Sequence, residues 1–427
     1  MSAGAKARVQ DAGAPATRLE AALAQALGPC PPARIGVAVS GGGDSVALMV
    51  LLADWARMLG VTLRAVSVDH GLRAESAAEI AAAGTVAARL GLAHDVLHWT
   101  GPERGNLMDA ARRARQLLIG NWAQAHGIGA VALGHTLDDQ AETVLMRLAR
   151  GSGVDGLAGM AARQRLGGTE WLRPLLNVQR DELRTVLRAH EIGWAEDPTN
   201  TDTRFARTRI RDIVSALARL GIGADRLAAT AEAMALARAA LDAAAQASGA
   251  TLLRTDRGDA LLDATALAAL APEIRERIVA RVLCAISGQH YRPRREALRR
   301  ALSVPLRATL HGCVLSREGA TLRIGREWKA LAGLRAPPGA LWDGRWIVHP
   351  PPGTATDGCT IAVLGPKGLA ALGPWAQSGL PRASALAGPA VWRGGELLAA
   401  PLVQPSSRWR ADCRQGPADL LRGPLSH

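Results

Sequence analysis

The chain has 427 residues, which is too long for one ordinary hydrophobic core and predicts two or three domains. A hydrophobic content of 48% with a mean hydropathy of +0.05 is typical of a globular protein. The net charge of +13 is unevenly placed, since residues 1–215 carry 24 basic and 22 acidic side chains, whereas residues 216–335 carry 19 and 11. This distribution predicts that residues 1–215 act on small molecules and that residues 216–335 bind a polyanion, unless the source proteome is simply rich in arginine.

The cysteines and the apolar segments indicate where in the cell the protein is found. The five cysteines form neither a C-x-x-C pair nor a metal-ligand spacing, which is typical of reduced thiols in a cytosolic protein. No apolar stretch free of charge approaches the roughly 20 residues that span a bilayer. The first residues also lack the apolar core of a signal peptide. We therefore predict a cytoplasmic protein with no membrane partner.

The front half alternates strands with helices after a loose tail over residues 1–17. The predicted elements are a helix at 18–27, a strand at 35–39, a helix at 45–59, a strand at 61–68, a helix at 74–90, a strand at 93–99, a helix at 106–126, a strand at 130–133 and a helix at 138–150. This rhythm predicts an α/β fold with a doubly wound parallel sheet, in which ligands gather at the carboxyl ends of the strands. We assign the catalytic domain to residues 18–215.

The remainder of the chain is harder to interpret. A helical connector is predicted from Arg180 to about Leu220, followed by helices at 224–248 and 272–287, a basic run at 292–307 and a hairpin at 309–324. Residues 216–335 are therefore predicted to form a mainly helical, basic domain. Residues 336–427 are rich in Pro and Gly and show only weak strands at 346–348 and 396–402, so their structure is left open.

A glycine-rich motif joins the first strand to the next helix. It consists of Ser40, Gly41, Gly42, Gly43, Asp44 and Ser45. Glycines let backbone N–H groups approach an anion, and the first helical turn adds unpaired N–H groups and a positive dipole end. The serine hydroxyls can donate to phosphate oxygens, and Asp44 suits the site if Mg²⁺ lies between its carboxylate and the phosphates. The simpler alternative is a glycine-rich turn with an incidental aspartate.

A second motif follows the strand at 130–133. It contains His135, Asp138, Asp139 and Glu142. Asp138 and Glu142 are four residues apart and project from one helical face. Carboxylates in a first helical turn are favoured by the dipole, so capping alone would explain them. Beside the glycine-rich motif, we instead predict a site that holds an ammonium group or a metal, with His135 near the phosphates.

The glycine-rich motif resembles the pyrophosphate loop of N-type ATP pyrophosphatases, and the motifs together resemble the tRNA(Ile)-lysidine synthases. The matching pieces are S-G-G-G-D-S at 40–45, V-D-H-G-L-R at 68–73, N-x-x-x-x-A-R-x-x-R at 106–115, G-H-x-x-D-D-Q-x-E-T at 134–143, R-G-S-G at 150–153, and E-D-P-T-N at 196–200 leading into F-x-R-x-x-I-R at 205–211. The pattern departs from the family's usual one at Met108, Gln116, Thr136 and Thr208, which bears on contacts to the second substrate.

The resemblance implies an enzyme of tRNA modification that binds ATP, Mg²⁺ and RNA. It would ligate free L-lysine to carbon 2 of the wobble cytidine of tRNA(Ile) with a CAU anticodon, through an adenylated cytidine, giving lysidine, AMP and pyrophosphate. Residues 40–45 and His70 would bind ATP. His135 and the three acids would serve lysine and catalysis, and Arg112 and Arg115 would grip a carboxylate or phosphate. A homodimer is left open.

The predicted tRNA contacts lie in two basic segments. They are Arg207, Arg209 and Arg211 in the connector, and Arg292, Arg294, Arg295 and Arg299 behind it. Such side chains contact phosphates and position an RNA without reading its sequence.

Two other functions compete with this prediction. A tRNA thiolase or an amide synthase of the same fold would need a reactive cysteine, an iron–sulfur site or a glutaminase half, and no cysteine lies near a loop at a strand's carboxyl end. A non-catalytic RNA-binding protein on the same fold would not need Asp44 or the three acids, which are intact.

Overall fold

The computed structural model describes residues 15–71, 75–101, 107–195, 206–289, 291–304, 306–404 and 407–422. The chain divides into two compact units, Met1–Leu236 and Ala237–His427. In the described part of the chain, no helix is both long enough and apolar enough to cross a membrane.

The first unit alternates helices and strands. Its described helices are α1 (Pro15–Leu27), α2 (Gly43–Leu59), α3 (Glu75–Arg89), α4 (Leu107–Ala125), α5 (Leu137–Ala149), α6 (Val154–Leu157), α7 (Arg180–Ala189) and α8 (Ala206–Ala218), and α9 (Ala224–Leu252) continues past the division. Its described strands are β1 (Arg34–Ala38), β2 (Thr62–Asp69), β3 (Ala93–His98), β4 (Ala130–Leu133), β5 (Arg163–Leu166) and β6 (Thr169–Leu172).

These strands form one sheet in the order β3-β2-β1-β4-β6-β5. The first five strands of that order run parallel, and β5 pairs antiparallel with β6 at the edge. The predicted doubly wound parallel sheet is thereby confirmed. The order reverses between β1 and β4, and a sheet of this kind binds ligands in the crevice beyond the carboxyl ends at such a point.

Successive side chains of each strand point to opposite faces, which gives the sheet a core on either side. Val37 and Ala65 pack with α1, α2, α3 and α7 on one face. On the other face Val66 and Val131 pack with α4 through Trp122. Burial on both faces explains why β1, β2 and β4 appear in the sequence as short apolar runs.

The second unit combines helices with antiparallel sheets. Its described helices after α9 are α10 (Ala264–Ala269), α11 (Pro272–Ser287), α12 (Arg295–Ser303), α13 (Gly365–Ala371), α14 (Arg382–Ala387) and α15 (Pro417–Arg422). Its described strands are β7 (Leu253–Asp256), β8 (Asp259–Asp263), β9 (Arg307–Leu310), β10 (Cys313–Glu318), β11 (Thr321–Arg326), β12 (Leu341–Trp342), β13 (Trp346–His349), β14 (Cys359–Val363), β15 (Pro389–Arg393), β16 (Glu396–Ala399) and β17 (Arg410–Cys413).

Strands β7 to β11 form a sheet in the order β7-β8-β11-β10-β9. Its β10–β11 pair is the predicted hairpin, closed by the pairing of Glu318 with Thr321. Helix α11 is largely buried against this sheet. Two three-stranded sheets, β12-β13-β17 and β14-β15-β16, organise residues 341–413, and they contain the two strands weakly predicted there.

Candidate active site

The loop after β1 turns sharply into α2. Gly41 has φ of +88°, and a Cβ at this position would lie 2.8 Å from the backbone oxygen of Glu79, so only glycine fits. Gly42 caps α2 without a side-chain hydrogen bond within the described residues, and Asp44 lies in the first turn. The loop therefore presents an open helix N-terminus at the carboxyl edge of the sheet.

The two serines of this loop have different roles in the structure. The Ser45 hydroxyl donates to the Gly42 carbonyl at 2.8 Å and accepts from the Ser40 backbone N–H at 3.1 Å. The Ser45 proton is thus used inside the loop, and Ser45 shapes the turn instead of donating outward as the sequence suggests. Ser40 is exposed, with its hydroxyl 3.2 Å from that of Ser45.

The loop after β4 packs directly against the start of α2. A Cβ on Gly134 would lie 2.9 Å from Cα of Ser45 and 3.0 Å from the Asp44 carbonyl oxygen. Helix α5 then begins with a capping box, in which Asp139 accepts from the Thr136 backbone N–H at 3.0 Å and the Thr136 hydroxyl accepts from the Asp139 N–H at 3.4 Å. The first turns of α2 and α5 are thereby brought together.

Arg180, the first residue of α7, joins these two helix starts. Its guanidinium donates from Nε to Asp44 Oδ2 at 2.9 Å and from Nη2 to Asp139 Oδ1 at 3.3 Å. Its backbone N–H donates to Asp138 Oδ2 at 2.8 Å. Three helix N-termini, each with carboxylates beside it, therefore meet around one guanidinium.

Glu142 lies deeper in the same pocket. Its side chain is 2% exposed, and Oε1 accepts from Arg211 Nε of α8 at 2.6 Å. Arg180 Nη1 lies 4.0 Å from the same oxygen. Arg211 therefore belongs to the acidic pocket and not to the exposed phosphate-binding track predicted from the sequence.

Burial and neighbouring charges shift the titration of these groups. Burial raises the pKa of the Asp44 carboxyl above its usual value, and Arg180 opposes that effect while Asp139 and Asp138 add to it. Burial would lower the pKa of Arg180, but the carboxylates of Asp44 and Asp139 outweigh it, and the pKa is raised. The guanidinium therefore stays charged and compensates the acids around it.

A cluster of arginines occupies another part of the carboxyl edge. Arg173 follows β6, is 6% exposed and donates to the Ala161 carbonyl at 2.8 Å. Burial lowers the pKa of Arg173 to about 10, helped by the nearby charges of Arg112, Arg115 and Arg147. The mutual repulsion of these guanidiniums favours an anion near Arg173.

The two predicted histidines also lie at this edge. His70 follows β2, half-buried against the edge of Trp99 with ring centroids 5.7 Å apart. Burial lowers the pKa of His70, and the charge of Arg115 lowers it further. His135 follows β4 and lies half-buried between Gly134 and the α5 cap. His70 thus lies near enough to Arg115 for that charge to act on its ring, whereas His135 directly precedes the cap of α5 that carries Asp139.

Comparison with known proteins places the chain in a family. Residues 15–217 match the model of a family described as the PP-loop domain. A tRNA(Ile)-lysidine synthase from Ruegeria pomeroyi is 47% identical over 402 residues, which cover 93% of this chain and 95% of that protein. The chain belongs to the tRNA(Ile)-lysidine synthase family.

Two further proteins show the range of the similarity. A tRNA(Ile)-lysidine synthase from Methylobacterium nodulans is 41% identical and covers 72% of this chain and 94% of that protein. Among solved structures, the U34-tRNA thiolase NcsA from Methanococcus maripaludis, with its [4Fe-4S] cluster, has a TM-score of 0.45 and 19% identity, covering 51% of this chain and 79% of that chain.

For this member of the lysidine synthase family, several sequence motifs fall outside the described residues. Residues 72–73 and the E-D-P-T-N motif at 196–200 lie there, as does the side chain of Arg207. The described chain before that motif approaches the glycine-rich loop, since the Ala195 N–H donates to the Gly41 carbonyl at 3.4 Å. Arg209 is exposed on α8.

The basic run of the second unit is partly neutralised by acids of α11. Arg295 Nε lies 2.8 Å from Glu276, Arg299 Nε lies 2.6 Å from Glu276, and Arg292 Nη1 lies 3.8 Å from Glu273. Arg294 and Arg300 are exposed and form no ion pair with any described residue. The free positive charge of this run is therefore smaller than the sequence predicts.

Proposed function

We propose that this chain forms lysidine in tRNA(Ile) with a CAU anticodon, by ligating free L-lysine to carbon 2 of the wobble cytidine. The observation that carries the proposal is the acidic pocket of Asp44, Asp138, Asp139 and Glu142, built against a pyrophosphate loop in a member of this family. The loop at 40–45 suits the phosphates of a nucleotide, and the carboxylates suit a cationic second substrate. Asp44 belongs to both sites, so the two half-reactions can take place next to each other without release of an intermediate.

ATP is the substrate that the loop at 40–45 would bind. The open N-terminus of α2 offers backbone N–H groups and a positive dipole end to the pyrophosphate. In the first half-reaction, the oxygen on carbon 2 of cytidine attacks the α-phosphorus and pyrophosphate leaves. Preorganised donors at the leaving group stabilise the charge that develops there.

Asp44 is the residue that we propose holds Mg²⁺. The described residues contain no group of three side chains able to hold a metal unaided. A nucleotide-bound Mg²⁺ usually takes only one or two carboxylates, with phosphates and water completing its shell, so the single first-turn carboxylate fits. When bound, the ion would neutralise charge on the pyrophosphate.

The acidic pocket would serve the second half-reaction. Lysine arrives as an ammonium, because its reference pKa is about 10.4, but attacks as a neutral amine. Asp138, Asp139 and Glu142 would first hold the cation and then accept a proton from its Nε. The amine then adds to carbon 2 of the adenylated cytidine, and AMP leaves with the former base oxygen. The arginine cluster of Arg112, Arg115, Arg147 and Arg173 would bind a carboxylate or a phosphate.

The tRNA body would contact the exposed arginines of the second unit, chiefly Arg294 and Arg300, with Arg209 of the first unit. These groups position phosphates and leave the choice of base to the active site. The cytoplasmic location stays a prediction.

One assay tests the proposed function. The full chain is incubated with Mg²⁺, ATP labelled in the α-phosphate, and a tRNA(Ile) transcript bearing CAU, with and without lysine. We expect label to enter tRNA without lysine, and AMP and a lysine-containing nucleoside to appear when lysine is added. A thiolase would instead require a sulfur donor, and a non-catalytic binder would release no AMP; either result contradicts the proposal.

A further inference from the structure

The pocket proposed for the lysine ammonium already contains a cation that belongs to the protein. The Arg180 guanidinium lies 2.9 Å from Asp44, 3.3 Å from Asp139 and 4.0 Å from Glu142. A second cation placed at the Asp139 oxygen that faces Arg180 would compete with the guanidinium for that oxygen and be repelled by its charge. In the described arrangement, lysine cannot reach Asp139 until Arg180 moves.

The backbone of Arg180 is fixed, whereas its side chain has freedom to move. Helix α7 is held by a capping box between Gln179 and Glu182, and its Leu183 and Leu187 are buried in the core that contains α2. The Arg180 N–H is bound to Asp138. The side chain itself is 20% exposed, and an arginine has several rotatable bonds over which to redirect its guanidinium.

A bound nucleotide offers the guanidinium a competing partner. Asp44 lies in the first turn of α2, where the pyrophosphate of ATP would lie, so the group that contacts Asp44 is within reach of phosphate oxygens. Guanidinium and phosphate form bidentate, charge-assisted hydrogen bonds. A phosphate chain also brings more negative charge than the Asp139 carboxylate, which favours the transfer.

We propose that Arg180 is a positioning residue that couples the two substrates: its guanidinium leaves Asp139 for the phosphates of ATP and thereby opens that carboxylate to the ε-ammonium of lysine, beside Glu142, which Arg211 continues to hold. This inference rests on the proposed function. Lysine binding is then weak before ATP enters and stronger afterwards, which discourages lysine from occupying an unactivated site. Because linkage is reciprocal, lysine strengthens nucleotide binding by the same factor.

The experiment is equilibrium binding of labelled L-lysine to the full chain, with and without Mg²⁺ and α,β-methylene-ATP. For the wild type, we expect the nucleotide to lower the Kd for lysine tenfold or more. Arg180→Gln should bind lysine without nucleotide about as tightly as the wild type does with it, so the factor falls to about one. Arg188→Gln, an exposed position on the same helix, should keep the wild-type factor.

Further variants and outcomes separate a structural role from a coupling role. Arg180→Lys keeps a cation in the pocket, so lysine binding should be weak without nucleotide and recover when nucleotide is added, whereas a misfolded pocket would bind lysine weakly in both conditions. An Arg180→Gln protein with the wild-type nucleotide dependence, or a wild type without any dependence, would overturn the coupling while leaving the proposed function intact. Failure of every variant to bind lysine, with and without nucleotide, would overturn the lysine site and this inference with it.

Discussion

At the scale of single residues, the acidic pocket is a balance of buried charges. Asp44, Asp139 and Glu142 face Arg180, and Glu142 also faces Arg211. Removing one member of a buried ion pair commonly costs about 3–5 kcal/mol, because its partner is left uncompensated. Substitutions here therefore need conservative replacements and a separate measurement of stability.

Asp44→Asn tests the pyrophosphate loop. Arg180 keeps Asp139 as a partner in this variant, so we expect the fold to be retained. Loss of the carboxylate should lower the rate of adenylate formation about 100-fold or more, measured as pyrophosphate release with tRNA. Asp54→Asn, later in the same helix, where the partly exposed carboxylate pairs with Arg57 at 2.9 Å, should retain full activity. Normal adenylation by a folded Asp44→Asn protein would contradict the assignment.

Glu142→Gln tests the proposed proton acceptor. Glutamine still offers an oxygen to Arg211, so the hydrogen bond at 2.6 Å can be kept while the negative charge is lost. We expect the variant to adenylate tRNA at a near-normal rate and to stall before lysine transfer, so that adenylated tRNA accumulates in a single turnover. Glu170→Gln, another ion-paired glutamate, is the control. A variant that fails at adenylation but uses lysine normally on adenylated tRNA would assign these acids to the metal.

The reactivity of the cysteines gives a labelling test of the structure. Burial raises the pKa of Cys313 to about 12 and that of Cys284 to about 11, whereas Cys30 is exposed. Thiolates are the reactive form, and a pKa above the working pH leaves few of them. We expect an aromatic disulfide reagent at pH 8 to label Cys30 within minutes and to reach Cys284 and Cys313 only after unfolding. Peptide mapping that finds early label on Cys313 would contradict its burial.

At the scale of helices and strands, the local periodicity of the sequence predicts most elements of the first unit. It does not predict contacts between residues that are far apart in the chain. Strand β4 is predicted at its observed bounds, and α2 begins two residues before its predicted start. The β5–β6 hairpin is not predicted, because its four-residue strands are too short for a clear alternation. Arg180 lies 136 positions from Asp44, so nothing in the sequence around either residue indicates their contact.

The same limit applies to the charges predicted for RNA. A run of arginines in the sequence indicates an RNA-binding surface only where acidic side chains do not compensate the arginine charges. Arg295 and Arg299 pair with acids of α11, which the sequence places about twenty residues away with no sign of contact. The carboxyl-edge motifs at 40–45 and 134–142, by contrast, are predictable together, because adjacent parallel strands carry their following loops to one edge.

Gly134→Ala tests the contact between the loops after β1 and β4. The added Cβ would lie 2.9–3.0 Å from Ser45 and Asp44, so the start of α2 must move by a few tenths of an ångström. We expect a stability loss of about 1–3 kcal/mol and an adenylation rate lowered tenfold or more, since small displacements of reacting groups are costly. Gly193→Ala has open space for its Cβ and should do neither. Equal effects in both variants would show that this contact does not position the loop.

At the scale of the whole molecule, charge and chemistry are separated along the chain. Residues 1–215 carry nearly equal numbers of both signs, and in the acidic pocket at the sheet edge the carboxylates are compensated by Arg180 and Arg211. The excess positive charge lies later in the sequence, in residues 216–335. Such an arrangement suits an enzyme whose small substrates bind in a neutralised pocket and whose large polyanionic substrate is held by a different surface.

Arg294 and Arg300 test where that surface lies. Both are exposed and unpaired among the described residues, so each can neutralise a phosphate, and the double variant Arg294→Gln, Arg300→Gln should bind tRNA more weakly. Each phosphate contact releases counterions, so the slope of log Kd against log salt should fall by about two, with the KM values for ATP and lysine unchanged.

Arg335→Gln removes the same kind of exposed charge elsewhere in the second unit and should leave the Kd for tRNA and its salt slope nearly unchanged. Arg299→Gln should have a smaller effect than Arg294→Gln or Arg300→Gln alone, because Glu276 already compensates the charge of Arg299. If the double variant keeps the wild-type slope while Arg299→Gln reduces it, the RNA displaces Glu276 on binding, and the free-charge argument is wrong.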